Sequence, residues 1–123
     1  MRLKTALPAA LLSTGLAFAA TASVAFQKVN DRDEFIQIVG DAELRLGLFG
    51  VTLRVTPDGI IKGSAAGWDV TGTWSWQDGY FCREMDWSGT PVPYNCQLVE
   101  VNGDQVRFTV DRGAGDDATF NLR

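Results

Sequence analysis

The chain has 123 residues, a formal net charge of −4, 13 Gly, 4 Trp, 2 Cys and no His. That length allows one domain. The missing His excludes a Ser-His-Asp triad, a histidine base and a His-ligated metal; two Cys are too few for a closed thiolate zinc site, and the acidic balance argues against a nucleic-acid partner.

At the N-terminus, Arg2 and Lys4 precede an uncharged, largely apolar run from Ala6 to Ala20, and the small residues Ala20-Thr21-Ala22 and Ser23-Val24-Ala25 follow. A basic start, a short apolar stretch and an A-x-A-like end are the marks of a secretory signal peptide over residues 1–25, cut after Ala25 or Ala22. The run is too short for a membrane span of ~20 residues, and Pro8, Ser13 and Thr14 interrupt it. No second long apolar run follows, so no span is expected once the leader is removed. Residues 26–123 then form the single mature domain. Removing Arg2 and Lys4 from 11 basic residues leaves 9 against 15 acidic ones, a charge of −6. Export places the domain in the periplasm or outside the cell, where Cys82 and Cys96 are expected to pair. Their spacing is not the C-x-x-C of redox-active pairs.

Asn30 to Gly40 reads as a short helix. Asn30 is placed to cap it, Asp31, Asp33 and Glu34 suit its positive end, and Gly40 suits a left-handed C-terminal stop. Phe35, Ile36 and Val39 share one face, with Ile38 beside them, and so short a helix must dock on something. From Ala42 the apolar period becomes two. The strands expected are 42–48, 51–56, 60–65, 68–77, 80–87, 96–102, 105–111 and 118–122, separated by turns at Pro57-Asp58-Gly59, Asp78-Gly79, Gly103-Asp104 and Gly113-Ala114-Gly115. Short connections make neighbours antiparallel. A mainly β fold follows: a small up-and-down barrel of about eight strands with the N-terminal helix capping one end, or an open, strongly bent sheet wrapped on that helix.

Two hairpins fix which residues face inward. A two-residue turn at Asp78-Gly79 opposes Trp76 to Phe81, Trp74 to Arg83, Gly72 to Met85 and Val70 to Trp87. Trp68, Val70, Trp74, Trp76, Phe81, Met85 and Trp87 then share the buried face, while Asp69, Thr71, Thr73, Ser75, Cys82, Glu84 and Asp86 point to solvent. A turn at Gly103-Asp104 opposes Glu100 to Arg107, Val101 to Val106, Val99 to Phe108 and Gln97 to Val110, putting charge against charge and apolar against apolar. Cys96 then faces outward like Cys82, which predicts a surface disulfide stapling an 88–95 loop.

Few residues offer chemistry. Arg83, on the aromatic face opposite Trp74, is expected to stack on that indole; should the barrel hold a cavity, it is placed to meet the carboxylate of a small ligand. Trp68, Trp74, Trp76 and Trp87, with Phe81 and Phe108, would line such a pocket or simply fill the barrel. Glu84 and Asp86 read as solvated carboxylates rather than an acid–base pair. Asp111, Asp116 and Asp117 match no complete calcium loop, and Gly113-Ala114-Gly115 precedes a strand rather than the helix of a dinucleotide fingerprint. No catalytic residue, metal or cofactor is assigned.

The stretch Trp68 to Arg83, W-D-V-T-G-T-W-S-W-Q-D-G-Y-F-C-R, together with Tyr94-Asn95-Cys96-Gln97, Val106-Arg107-Phe108 and Phe120-Asn121-Leu122-Arg123, resembles an uncharacterised family of small exported bacterial single-disulfide β proteins. The resemblance spans most of residues 26–123. Some members carry the label dihydrodipicolinate reductase. Enzymes of that name have a Rossmann domain and a His- and Lys-containing motif that this chain lacks, so no catalytic residue carries over. The expected architecture is also similar at fold level to exported inhibitors of bacterial metalloproteases, which insert an N-terminal strand into the protease cleft; here only Phe26 to Val29 would serve. Three functions follow as expectations: a non-enzymatic exported module binding an unknown protein or a small apolar ligand, a periplasmic protease inhibitor, or a protein bearing the reductase label without its motifs.

Overall fold

A computed structural model describes Gly15 and residues 25–123. The leader expected over residues 1–25 therefore lies almost wholly outside the described residues. Nine strands and one α-helix follow: β1 Gln27–Lys28, α1 Arg32–Val39, β2 Leu44–Leu46, β3 Val51–Val55, β4 Ile60–Ala65, β5 Trp68–Gln77, β6 Tyr80–Trp87, β7 Thr90–Asn102, β8 Gln105–Thr109 and β9 Asp117–Leu122. Strands β2 to β9 pair antiparallel in sequence order, and β9 pairs back on β2, closing an eight-stranded barrel. The open bent sheet is thereby excluded. Closure removes the two free edges that a meander of short strands would expose.

The register of both hairpins is the one the turn chemistry predicts. Asp78 and Gly79 take positive φ, 52° and 84°, and Trp76 pairs with Phe81, Trp74 with Arg83, Gly72 with Met85 and Val70 with Trp87. Across the next turn Val101 pairs with Val106, Glu100 with Arg107 and Val99 with Phe108; Arg107 and Glu100 form an ion pair at 3.0 Å. Two inward glycines let the wall bend: a Cβ at Gly63 would fall on the Thr52 carbonyl, and one at Gly72 on the Glu84 carbonyl.

Several local expectations are corrected. The helix is capped by Asp31, not Asn30: the Asp31 carboxylate accepts from Glu34 N at 2.8 Å, while Glu34 reaches back to Asn30 N at 3.1 Å. Gly40 stays right-handed (φ −60°), so the helix ends without a left-handed stop. The segment 88–95 is no loop. Ser88 and Gly89 make another positive-φ turn, and β7 begins at Thr90. Pro91 and Pro93 masked this strand from sequence, since Pro lacks the N–H a central strand donates. Here β7 meets β8 only from Leu98 onward, leaving its first half a free edge where Pro is tolerated, and the register slips between Arg83 and Met85. The Asn95 side chain covers that edge, donating to Asp111 at 2.7 Å and accepting from Asp111 N at 3.0 Å. Finally, β1 extends along β7 where β6 has ended, with Gln27 opposite Val101 and Lys28 opposite Glu100.

The helix closes one end of the barrel. Arg32 donates to the Pro57 carbonyl at 2.7 Å, which holds the helix at the end carrying the 56–59 and 78–79 turns. Phe35 and Val39 are fully buried. The Phe35 ring meets Trp74, Trp76 and Phe81 at centroid distances of 5.3, 5.2 and 5.0 Å. Val29, Leu44, Val55, Ile61, Val99, Val106 and Phe108 complete the buried core around these rings. Among the described residues, no helix is long and apolar enough to cross a membrane.

Candidate functional site

The end of the barrel opposite the helix is open. Three short connections surround it: a 3-10 turn Gly47–Phe49, the turn at Ala66-Gly67, and that at Ser88-Gly89. Between them lies a cleft of about 560 Å3 lined by Leu48, Phe49, Val51, Ala65, Ala66, Val70, Met85, Trp87 and Val92. Every one of these side chains is apolar or, for Trp87, an indole. The volume falls within the range of small-molecule sites, ~300–1,000 Å3. Leu48 and Phe49 are 85% and 63% exposed, an unusual position for two large apolar side chains at a turn. Gly50 ends that turn with φ 59°, a conformation that favours glycine. Trp87 reaches across β5, its indole N–H donating to the Ala65 carbonyl at 2.9 Å. That bond satisfies the ring's polar edge and holds its apolar face at the cleft.

The four tryptophans thus part company. Trp74 is buried among the core aromatics, with its N–H on the Thr56 carbonyl at 2.9 Å, and Trp76 is half-buried against Phe35. Trp87 lines the cleft. The expected burial of Trp68 is corrected: it is 63% exposed, because as the first residue of β5 it lies at the rim, beside Trp87, Ser88 and Thr90, and it does not line the cleft. The barrel interior is accordingly packed at the helix end and open at the other.

Arg83 does face inward, but it does not stack on Trp74. The cation over that indole is Arg32 of the helix, 5.3 Å from the ring centroid, because the capping helix brings it to the Trp74 end. Arg83 instead donates to the Pro93 carbonyl at 2.6 Å. Burial lowers its pKa from the ordinary guanidinium value by desolvation, although a guanidinium remains charged at any physiological pH.

The Cys82–Cys96 disulfide is formed between directly opposed residues of β6 and β7. Both cysteines lie on the outer face by register, but the expected surface position is corrected for Cys82, which is 1% exposed. A short side chain bonded to its cross-strand neighbour is largely covered by that bond, and Tyr94 lies beside it, its hydroxyl 3.4 Å from Cys96 Sγ. Glu84 is exposed, and Asp86 accepts from Gly89 N at 2.8 Å, a turn-fixing role. Asp111 is engaged by Asn95, while Asp117 begins β9 opposite Thr109.

Sequence reasoning did not reach the cleft as a unit. Val70, Met85 and Trp87 are legible as inward residues, whereas Leu48 reads as the end of the strand 42–48 and Phe49 as part of the connection after it. The available signal was the pair of adjacent apolar residues immediately before Gly50, where a turn would ordinarily be polar. Comparison with family models, with curated proteins and with solved structures gives no match.

Proposed function

We propose that this is an exported, non-enzymatic binding protein that takes a small apolar molecule into the open end of its barrel. The observation that carries this reading is the cleft itself: an opening of about 560 Å3 whose lining holds no charged group and no nucleophile. Water in such a space has few polar partners, so an apolar ligand displaces it favourably. The formed disulfide and the leader-like N-terminus support an oxidising location, periplasmic or secreted. The resemblance to small exported bacterial proteins agrees with that location. The reductase label gains no support from a chain without His and a cleft without acid or base.

The inhibitor alternative needs a free N-terminal strand. Gln27 and Lys28 are paired to β7, and Val29 is fully buried with its N–H on the Val99 carbonyl at 2.9 Å. Releasing them would uncover the core, so the binding-protein reading is preferred.

The test is titration with the neutral fluorophore N-phenyl-1-naphthylamine. Saturable enhancement is expected for the wild-type protein, with a sharp loss in Val92→Trp, which fills the cleft from its wall. Absence of saturable binding in the wild type, or equal binding in Val92→Trp, would refute the reading.

A further inference from the structure

The cleft lining carries no charge, and the charged residue nearest to it along β6 on the inward face by register is Arg83, two residues before Met85. Along β6 the inward residues run Phe81, Arg83, Met85 and Trp87, from the packed end to the mouth. Arg83 therefore sits one inward position below Met85. Its guanidinium ends at the Pro93 carbonyl, next in the chain to Val92 of the cleft wall. The register slip on β7 sets this up. Arg83 pairs with Asn95 and Met85 with Val92, so residues 93 and 94 together oppose Glu84. A bulge of this kind re-aims the local backbone and is common beside binding sites.

Arg83 is otherwise uncompensated. None of the ion pairs among the described residues includes it. The Pro93 carbonyl occupies one of five N–H donors. A half-buried cation one inward register position below the cleft, with no further hydrogen-bond partner among the described residues, is suited to an anionic oxygen pair entering through that opening.

We propose, resting on the cleft reading above, that the ligand is a monoanionic amphiphile: its apolar chain occupies the cleft between Leu48 and Trp87, and its carboxylate meets Arg83. A purely apolar cleft would favour an alcohol over the carboxylate of equal chain length, because the carboxylate loses more hydration on entry. A charge partner within reach of the bound chain's end reverses that order.

Isothermal titration of the disulfide-bonded protein with octanoate and with 1-octanol separates the two cases. The wild type is expected to bind octanoate about tenfold or more tightly than 1-octanol. Arg83→Met and Arg83→Gln are expected to abolish that preference while leaving 1-octanol affinity unchanged, and Arg83→Lys to restore part of it. Equal affinities in the wild type, or a preference that survives both neutral replacements, overturns the role of Arg83 and leaves the apolar cleft standing. Failure of both ligands to bind the wild type overturns the cleft reading as well. The wild-type comparison decides the charge preference without any variant, and two neutral replacements guard against one that does not fold.

Discussion

Replacing Phe35 with Ala removes the aromatic side chain by which the helix packs among the rings at the closed end of the barrel. Phe35 is fully buried, and its ring lies within 5.0 to 6.3 Å, centroid to centroid, of Trp74, Trp76, Phe81 and Phe108. Truncating a buried Phe costs about 3–5 kcal/mol through lost burial and the cavity left behind. The site has little means to collapse, because the surrounding rings are carried by strands of a closed barrel. A loss of about 4 kcal/mol or more, rather than the low end of that range, is therefore expected. A domain of this size has a stability on the order of 5–15 kcal/mol, so the loss is a large fraction of it. At about 4–8 °C per kcal/mol, the midpoint of thermal unfolding should fall by roughly 16–32 °C. Urea denaturation followed by tryptophan fluorescence and by far-ultraviolet circular dichroism measures it directly. A loss below about 1 kcal/mol would refute the reasoning, because it would mean that the helix does not plug the barrel.

Two further stability predictions follow from the walls of the barrel. Replacing both Cys82 and Cys96 by Ala should cost about 3 kcal/mol, the value expected for a closed loop of roughly 15 residues; urea midpoints of the oxidised wild type and the double variant measure it, and indistinguishable midpoints would contradict the structural role of the bond. Gly63→Ala should destabilise by about 1–3 kcal/mol or more, since the added methyl would collide with the Thr52 carbonyl, whereas Gly67→Ala adds a methyl that meets nothing within 4 Å and should cost only the strain of its φ of 82°. Chemical denaturation of the two variants side by side should rank Gly63→Ala as the more damaging; the reverse order would show that the wall does not bend where these contacts place the bend.

Much of this protein is written locally. The period-two pattern, the Asp78-Gly79 and Gly103-Asp104 turns and the pairing of Glu100 with Arg107 determine the eight strands of the barrel, though not β1, together with hairpin register and the inward face, because each depends on residues close in the chain. The disulfide partners are likewise legible, since there are only two cysteines. What the tertiary structure decided are the properties that depend on where the wall stops and what crosses it. Trp68 and Trp74 share a face, yet one lies at the rim and the other under the helix, so alternation gives direction without depth. Two arginines were available to Trp74, and only the docking of the helix chose Arg32 over Arg83. Strand β7 hides behind two prolines until the free edge and the register slip show why they are tolerated. The cleft is the furthest from the sequence, because its walls come from β3 to β7 and from the turns at Leu48-Phe49 and Ala66, which only the curvature of the closed sheet brings around one opening.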